Sequence, residues 1–141
     1  MKNKIIIVLI GLSMLGIFSC NSSSNLDIDS NSKVKSTEIV FKSERGFGSD
    51  TFEIHKFTLV NPNKINGFKN YDDNFKTSLK FFSDSIDESL KKYDSDRLYS
   101  NIDKVINAGD SIYKSLDYGD EIKLYIYSPK LNDGYFIYLK I

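Results

Sequence analysis

The chain contains one histidine, His55, and one cysteine, Cys20, so reactive chemistry has few side chains to work with. His55 sits inside FEIHKFTLV, residues 52–60. A histidine with a serine nucleophile and an orienting aspartate can serve as the base of a hydrolase. No G-x-S-x-G elbow accompanies it here, and no second His or Cys is present to complete a zinc site. The alternative is a strand-surface or half-buried imidazole. Asp72-Asp73 and Asp87-Glu88 would lie largely on the polar face of a helix, solvated and not poised by burial as an acid–base dyad. P-loop, G-x-G-x-x-G and H-E-x-x-H patterns are absent. The two arginines, Arg45 and Arg97, make no phosphate-binding cluster. The expectation is a non-enzymatic protein without a cofactor.

Asp27, Asp29 and Asn31, followed by an aliphatic Val34 and by Glu38, have the spacing of an oxygen-ligand loop. The run resembles an EF-hand calcium loop, with ligands at positions 1, 3, 5 and 12. Ser32 occupies the position where the sharp turn requires glycine, and Lys33 and Lys35 bring positive charge beside any ion. A strand follows it in place of a helix. The expectation is therefore no metal site.

Two aromatic groups could support binding. Tyr125, Tyr127, Phe136 and Tyr138 line up on one side of two strands, flanked by Lys123 and Lys140. Tyrosine suits a surface that is apolar yet tolerates water, such as a protein or glycan contact. The same residues also suit a sheet covered on both sides by core, with a helix over this face. Arg45 and Phe47, in RGFG, sit at a glycine-flanked loop tip, either as a contact point or with Phe47 folded back onto the core.

The elements that would hold these residues follow from periodicity. Glu38–Lys42 and Phe52–Val60 have strand composition, and SERGFGSD between them supplies a hairpin loop. Pro62 ends the second strand. From Asn70 the spacing changes: Tyr71, Phe75, Leu79, Phe82, Ile86, Leu90 and Tyr93 recur every three or four residues. That stripe predicts one long amphipathic helix, capped by Asn70 or Asp72. Leu98, Ile102, Val105 and Ile106 predict a shorter helix from near Asp96 to Gly109. Ser111–Lys114 reads as a short strand. Ile122, Leu124 and Ile126, then Tyr135, Ile137, Leu139 and Ile141, alternate with their neighbours and predict a C-terminal antiparallel pair. Placing like faces opposite one another pairs Ile126 with Tyr135 and Ser128 with Asp133, around a Pro-Lys-Leu-Asn loop. The fold class expected is α+β: a small single domain, 35–141, with an N-terminal β-hairpin, a long helix plus a shorter one, and C-terminal antiparallel strands.

The first twenty residues answer a different question. Lys2 and Lys4 precede Ile5–Phe18, a run of 14 uncharged residues. This is the layout of a secretory signal, and it is shorter than the roughly 20 apolar residues of a spanning helix. Ile17-Phe18-Ser19-Cys20 resembles the lipobox of bacterial lipoproteins. The resemblance implies a signal peptide over 1–19, cleavage between Ser19 and Cys20, and a covalent lipid on Cys20. Two or three acyl chains at about 0.8 kcal/mol per buried CH₂ would make the anchor effectively permanent. Residues 20–34, rich in Ser and Asn, then read as a flexible tether with a reach of about 20 Å. Removing Lys2 and Lys4 from 19 basic residues leaves 17 against 19 acidic ones, a net charge of −2, which disfavours nucleic acid and a polybasic membrane patch.

These features point to a lipid-anchored protein of the bacterial cell envelope, acting by contact with an envelope protein or glycan. Asn21, in place of the Asp that resembles a retention signal in some Gram-negative systems, implies the outer membrane where there is one. A toxin-neutralising or inhibitory lipoprotein, and an envelope hydrolase using His55, are the alternatives. Replacing Cys20 by Ala should abolish incorporation of labelled palmitate and leave the 19-residue leader attached, as read by mass spectrometry of the intact chain. Undiminished labelling would contradict the assignment.

Overall fold

A strand whose residues are apolar on both sides has no face to leave in water, so it must be covered twice. Residues 124–127 and 135–139 have this character, and the architecture is arranged around them. A computed structural model of the chain describes residues 26, 28, 32–43, 51–80 and 96–140. It contains strands β1 (Val34–Lys42), β2 (Thr51–Leu59) and β3 (Lys69–Asn70), helices α1 (residues 73–80) and α2 (Asp96–Ile106), and strands β4 (Ile112–Asp117), β5 (Glu121–Ser128) and β6 (Asp133–Lys140). The six strands form one sheet in the order β1-β2-β6-β5-β4-β3, antiparallel throughout.

The side chains of β5 and β6 divide between two cores. Leu124, Ile126, Tyr135 and Ile137 point to one face, where Phe52 and Ile54 of β2, Phe75 of α1, and Ile102 and Val105 of α2 cover them. Tyr125, Tyr127 and Phe136 point to the other, beside Phe57 and Leu59 of β2. No helix covers this second face among the described residues. Leu26, Ile28, Ile65 and Phe68, all from irregular chain, close it instead. Each large side chain buried in either core contributes roughly 1.5–3 kcal/mol.

The β5–β6 register is the one that face-matching requires, with Ile126 opposite Tyr135 and Ser128 opposite Asp133. In the intervening loop Asn132 has φ 48°, a left-handed conformation that asparagine tolerates better than most residues. Its carboxamide accepts from the Leu59 amide (3.0 Å) and donates to the Leu59 carbonyl (3.0 Å). The side chain thereby acts as one more ladder residue between the hairpin and β2.

Several boundaries differ from the periodicity reading. β1 begins at Val34, and the segment before it is partly docked: Ser32 is buried and bonds to the Lys64 carbonyl, while Leu26 and Ile28 pack on the aromatic core. β3 is only two residues long, too short to carry a strand pattern. β4 runs on to Asp117, because Leu116 stays partly buried against the aromatic core. Asp72, and not Asn70, caps α1 through the Phe75 amide (2.9 Å). The predicted long helix is described only over 73–80; its continuation through Tyr93, and the hairpin loop holding Arg45 and Phe47, lie outside the described residues.

Gly134 shows how closely the aromatic core is filled. A Cβ at this position would lie 2.5 Å and 2.8 Å from two ring carbons of Phe57 and 2.9 Å from the Ile126 carbonyl oxygen. A Gly134→Ala variant is expected to unfold about 1–3 kcal/mol more easily, the usual cost of overpacking. Denaturant titration checks this, and an unchanged midpoint would mean that Phe57 has room to move.

Candidate functional site

Strand alternation sends Glu53, His55, Phe57 and Leu59 to the aromatic face of β2. His55 is 2% exposed, with its ring 5.3 Å from that of Phe136 and its Nε2 2.9 Å from Glu53 Oε2. The other Glu53 oxygen pairs with Lys42 at 2.7 Å. Burial by itself would push the Glu53 carboxyl up. The hydrogen bonds from Lys42 and His55, with their charges, outweigh it and hold the group below the ordinary carboxylate range. The partners found for His55 are thus a carboxylate and a ring, neither of them a nucleophile. The sheet register continues this corner from Glu53 to Tyr138 and on to Lys123. Lys123 is 7% exposed, pairs with Glu121 at 2.9 Å and lies over the Tyr118 ring.

The tyrosine face, read from sequence as either a binding surface or a second core, is a core. Tyr125, Tyr127 and Phe136 are 0%, 0% and 3% exposed. Tyr125 stacks on Phe136 at 4.7 Å, Phe57 stacks on Tyr127 at 5.7 Å, and Phe68 meets Tyr125 edge-on. Tyr138, at the margin, is half-buried. The reason is residue supply: β2 contributes its own aromatic and aliphatic side chains to this face, and residues 26, 28, 65 and 68 seal it. Burial, then the nearby Asp110 and Asp133 charges, pushes the Tyr127 phenol up to about 12. It stays neutral and donates to Asn132 at 2.8 Å.

Asp72 is a second carboxylate held by several groups. The Tyr113 hydroxyl, Lys69 (2.9 Å) and the Phe75 amide (2.9 Å) all donate to it. The Tyr113 bond, followed by those of Lys69 and Phe75, holds the carboxyl well below the usual range. Tyr113 is itself buried beneath Tyr71 and Phe75. This cluster ties the start of α1 to β4.

Open space occurs between the helices. A cleft of about 290 Å³ has buried Ile102 and Ile137 at its base, half-buried Leu79, Tyr99 and Ile106 as walls, and Lys76, Lys80 and Asp103 at the rim. Its lining comes from α1, α2 and β6. Its size lies at the lower end of small-ligand sites, and its apolar walls suit an apolar group. Leu79, Ile102 and Ile106 read from sequence as core residues because helical periodicity cannot separate a packed wall from an open one. Tyr99 lay off the predicted stripe of α2.

Of the remaining candidates, Ser19, Cys20, Asp27, Asp29, Asn31, Arg45 and Phe47 lie outside the described residues, and Glu38 is exposed on β1. Among the described residues no group of three His, Cys, Asp or Glu side chains could hold a metal. No helix among them is long and apolar enough to cross a membrane.

The Lys42–Glu53–His55 line predicts acid sensitivity. Glu53 has a lower pKa folded than unfolded, so protons bind preferentially to the unfolded chain as pH falls. Its contribution is present above about pH 4.5, the ordinary value, and is lost below it. Glu53→Gln should reduce stability at pH 7 and narrow its gap to the parent as pH drops toward 3, measured by thermal unfolding. A gap that widens on acidification would contradict this coupling.

Comparison of the chain with protein-family models, with curated proteins and with solved structures finds no match.

Proposed function

We propose that this protein is a lipid-anchored module of the bacterial envelope that works by binding, with the cleft between α1 and α2 as its recognition element. The observation that carries the reading is the cleft itself: apolar side chains of Leu79, Tyr99 and Ile106 stand half-exposed around a 290 Å³ recess. Tyrosine beside aliphatic walls is the composition of a contact site that buries one apolar anchor. The occupant is an apolar group carried by an envelope protein. Inhibition of an exported toxin is a narrower form of the same activity. The use of His55 in packing against Phe136 and bonding to Glu53 supports a non-catalytic role. In this reading the stripe that begins α1 continues as one helix to Tyr93, lengthening the wall that a partner would meet.

A photo-crosslinking amino acid placed at Tyr99 should capture a discrete partner in cells, and the same probe at exposed Tyr118 should not. Adding Ile106→Arg, which puts a charged side chain across the recess, should reduce capture at least tenfold while circular dichroism stays unchanged. Equal capture from both probe positions, or capture indifferent to Ile106→Arg in a folded chain, would remove the cleft from the account.

A further inference from the structure

β1 ends the sheet, and its side chains from Val34 through Ile39 are exposed on both faces of the strand. Val34 (37% exposed) and Ile39 (45%) are two of the large apolar side chains left in water. Among the described residues no strand pairs with its outer edge, and a strand edge with exposed aliphatics is a template for another strand.

The register of β1 on β2 shows which strand fits. Val34 faces Leu59, but Ser36 faces Thr58, so one extra residue is accommodated at Lys35. In a regular strand, residues five apart point to opposite faces. The bulge removes this offset. Val34 lies opposite Leu59 and Ile39 opposite His55, and both β2 residues point to the aromatic face. Directly opposed residues share a face, so Val34 and Ile39 lie on the same side of β1, with Thr37 between them on that side, opposite Phe57.

We infer that β1 pairs with β1 of a second copy of this chain, antiparallel and two-fold symmetric about Thr37. A two-fold axis normal to the sheet preserves faces, as a symmetric pair requires. In that register Val34 meets Ile39 of the second copy, Ile39 meets its Val34, and Thr37 meets its Thr37. Ser36 meets the second copy's Glu38, and Lys35, next along the strand, comes within diagonal reach of the same carboxylate. Apolar residues thus face apolar ones, and lysine falls beside glutamate, twice over. The sequence VKSTEI is self-complementary once the bulge is counted. The pairing joins two six-stranded sheets into one of twelve and leaves the cleft between α1 and α2, on the opposite side of the sheet from Val34 and Ile39, unobstructed.

The test uses the intact chain expressed in bacteria, where the parent's one cysteine is Cys20. Thr37→Cys should give a reducible dimer on non-reducing gels and with a short bis-maleimide. Ser36→Cys alone should give far less, but Ser36→Cys and Glu38→Cys on two co-expressed, differently tagged chains should give a mixed dimer. V34K/I39K in the Thr37→Cys background places lysines opposite each other and should reduce the dimer at least tenfold. Mixing it with V34E/I39E chains carrying Thr37→Cys should restore a heterodimer. Failure of both Thr37→Cys and the mixed pair to cross-link, in chains that accumulate to parental levels, would overturn the proposal. So would cross-linking from Ser36→Cys equal to that from Thr37→Cys and indifferent to V34K/I39K.

Discussion

Tyr125 and Phe136 stack at 4.7 Å on one side of the β5–β6 pair, while Leu124, Ile126 and Ile137 fill the other. A strand pair of this kind cannot rest against water on either side, and much of the remaining architecture follows. The helices take the aliphatic face, where Ile102 and Val105 offer a helical stripe. The aromatic face is left to chain without regular structure, and residues 26, 28, 65 and 68 cover it. β2 is drawn in beside β6 because its alternation feeds Ile54 to one core and Phe57 to the other. The loop that joins β5 to β6 is fixed in turn by Asn132, whose side chain occupies both backbone groups of Leu59.

The polar groups are placed by the same arrangement. Glu53 and His55 sit where the aromatic core approaches the sheet's margin, so each needs a partner within the sheet. Lys42 on β1 and Phe136 on β6 supply them. Asp72 serves the opposite margin, capping α1 while accepting the Tyr113 hydroxyl. Taken in isolation, a histidine and held carboxylates are the materials of acid–base chemistry. In place, each joins neighbouring elements, and an open recess lies between α1 and α2.

Legibility in the sequence varied with how local the cause was. The β5–β6 pairing could be read to the residue, because two strict alternations and a loop admit one face-matched register. α2 could be read from four aliphatic residues and a terminating glycine; Gly109 does adopt φ 83°. The fate of the tyrosine face could not be read, since its cover comes from Leu26, Ile28, Ile65 and Phe68, distant in sequence and isolated among polar residues. The docking of Leu26, Ile28 and Ser32 was hidden for the same reason: two aliphatics in a Ser- and Asn-rich run look like a tether. β1 was partly legible as a strand, but its bulge at Lys35, which decides what each side faces, depends on β2. The cleft was invisible because Leu79, Ile102 and Ile106 are helix-stripe residues indistinguishable in pattern from core, and Tyr99 lies off the stripe.

The β5–β6 pair is dry on both faces, so Tyr125 and Tyr127 are structural and any partner binds elsewhere. Hydroxyl-radical footprinting of the intact chain, read tyrosine by tyrosine by mass spectrometry, tests it directly. Tyr118, 59% exposed, should be oxidised readily, while Tyr113, Tyr125, Tyr127 and Tyr135 should be protected until the chain unfolds. Oxidation of Tyr125 and Tyr127 at the rate of Tyr118 in the folded protein would contradict the account and return the aromatic face to the surface.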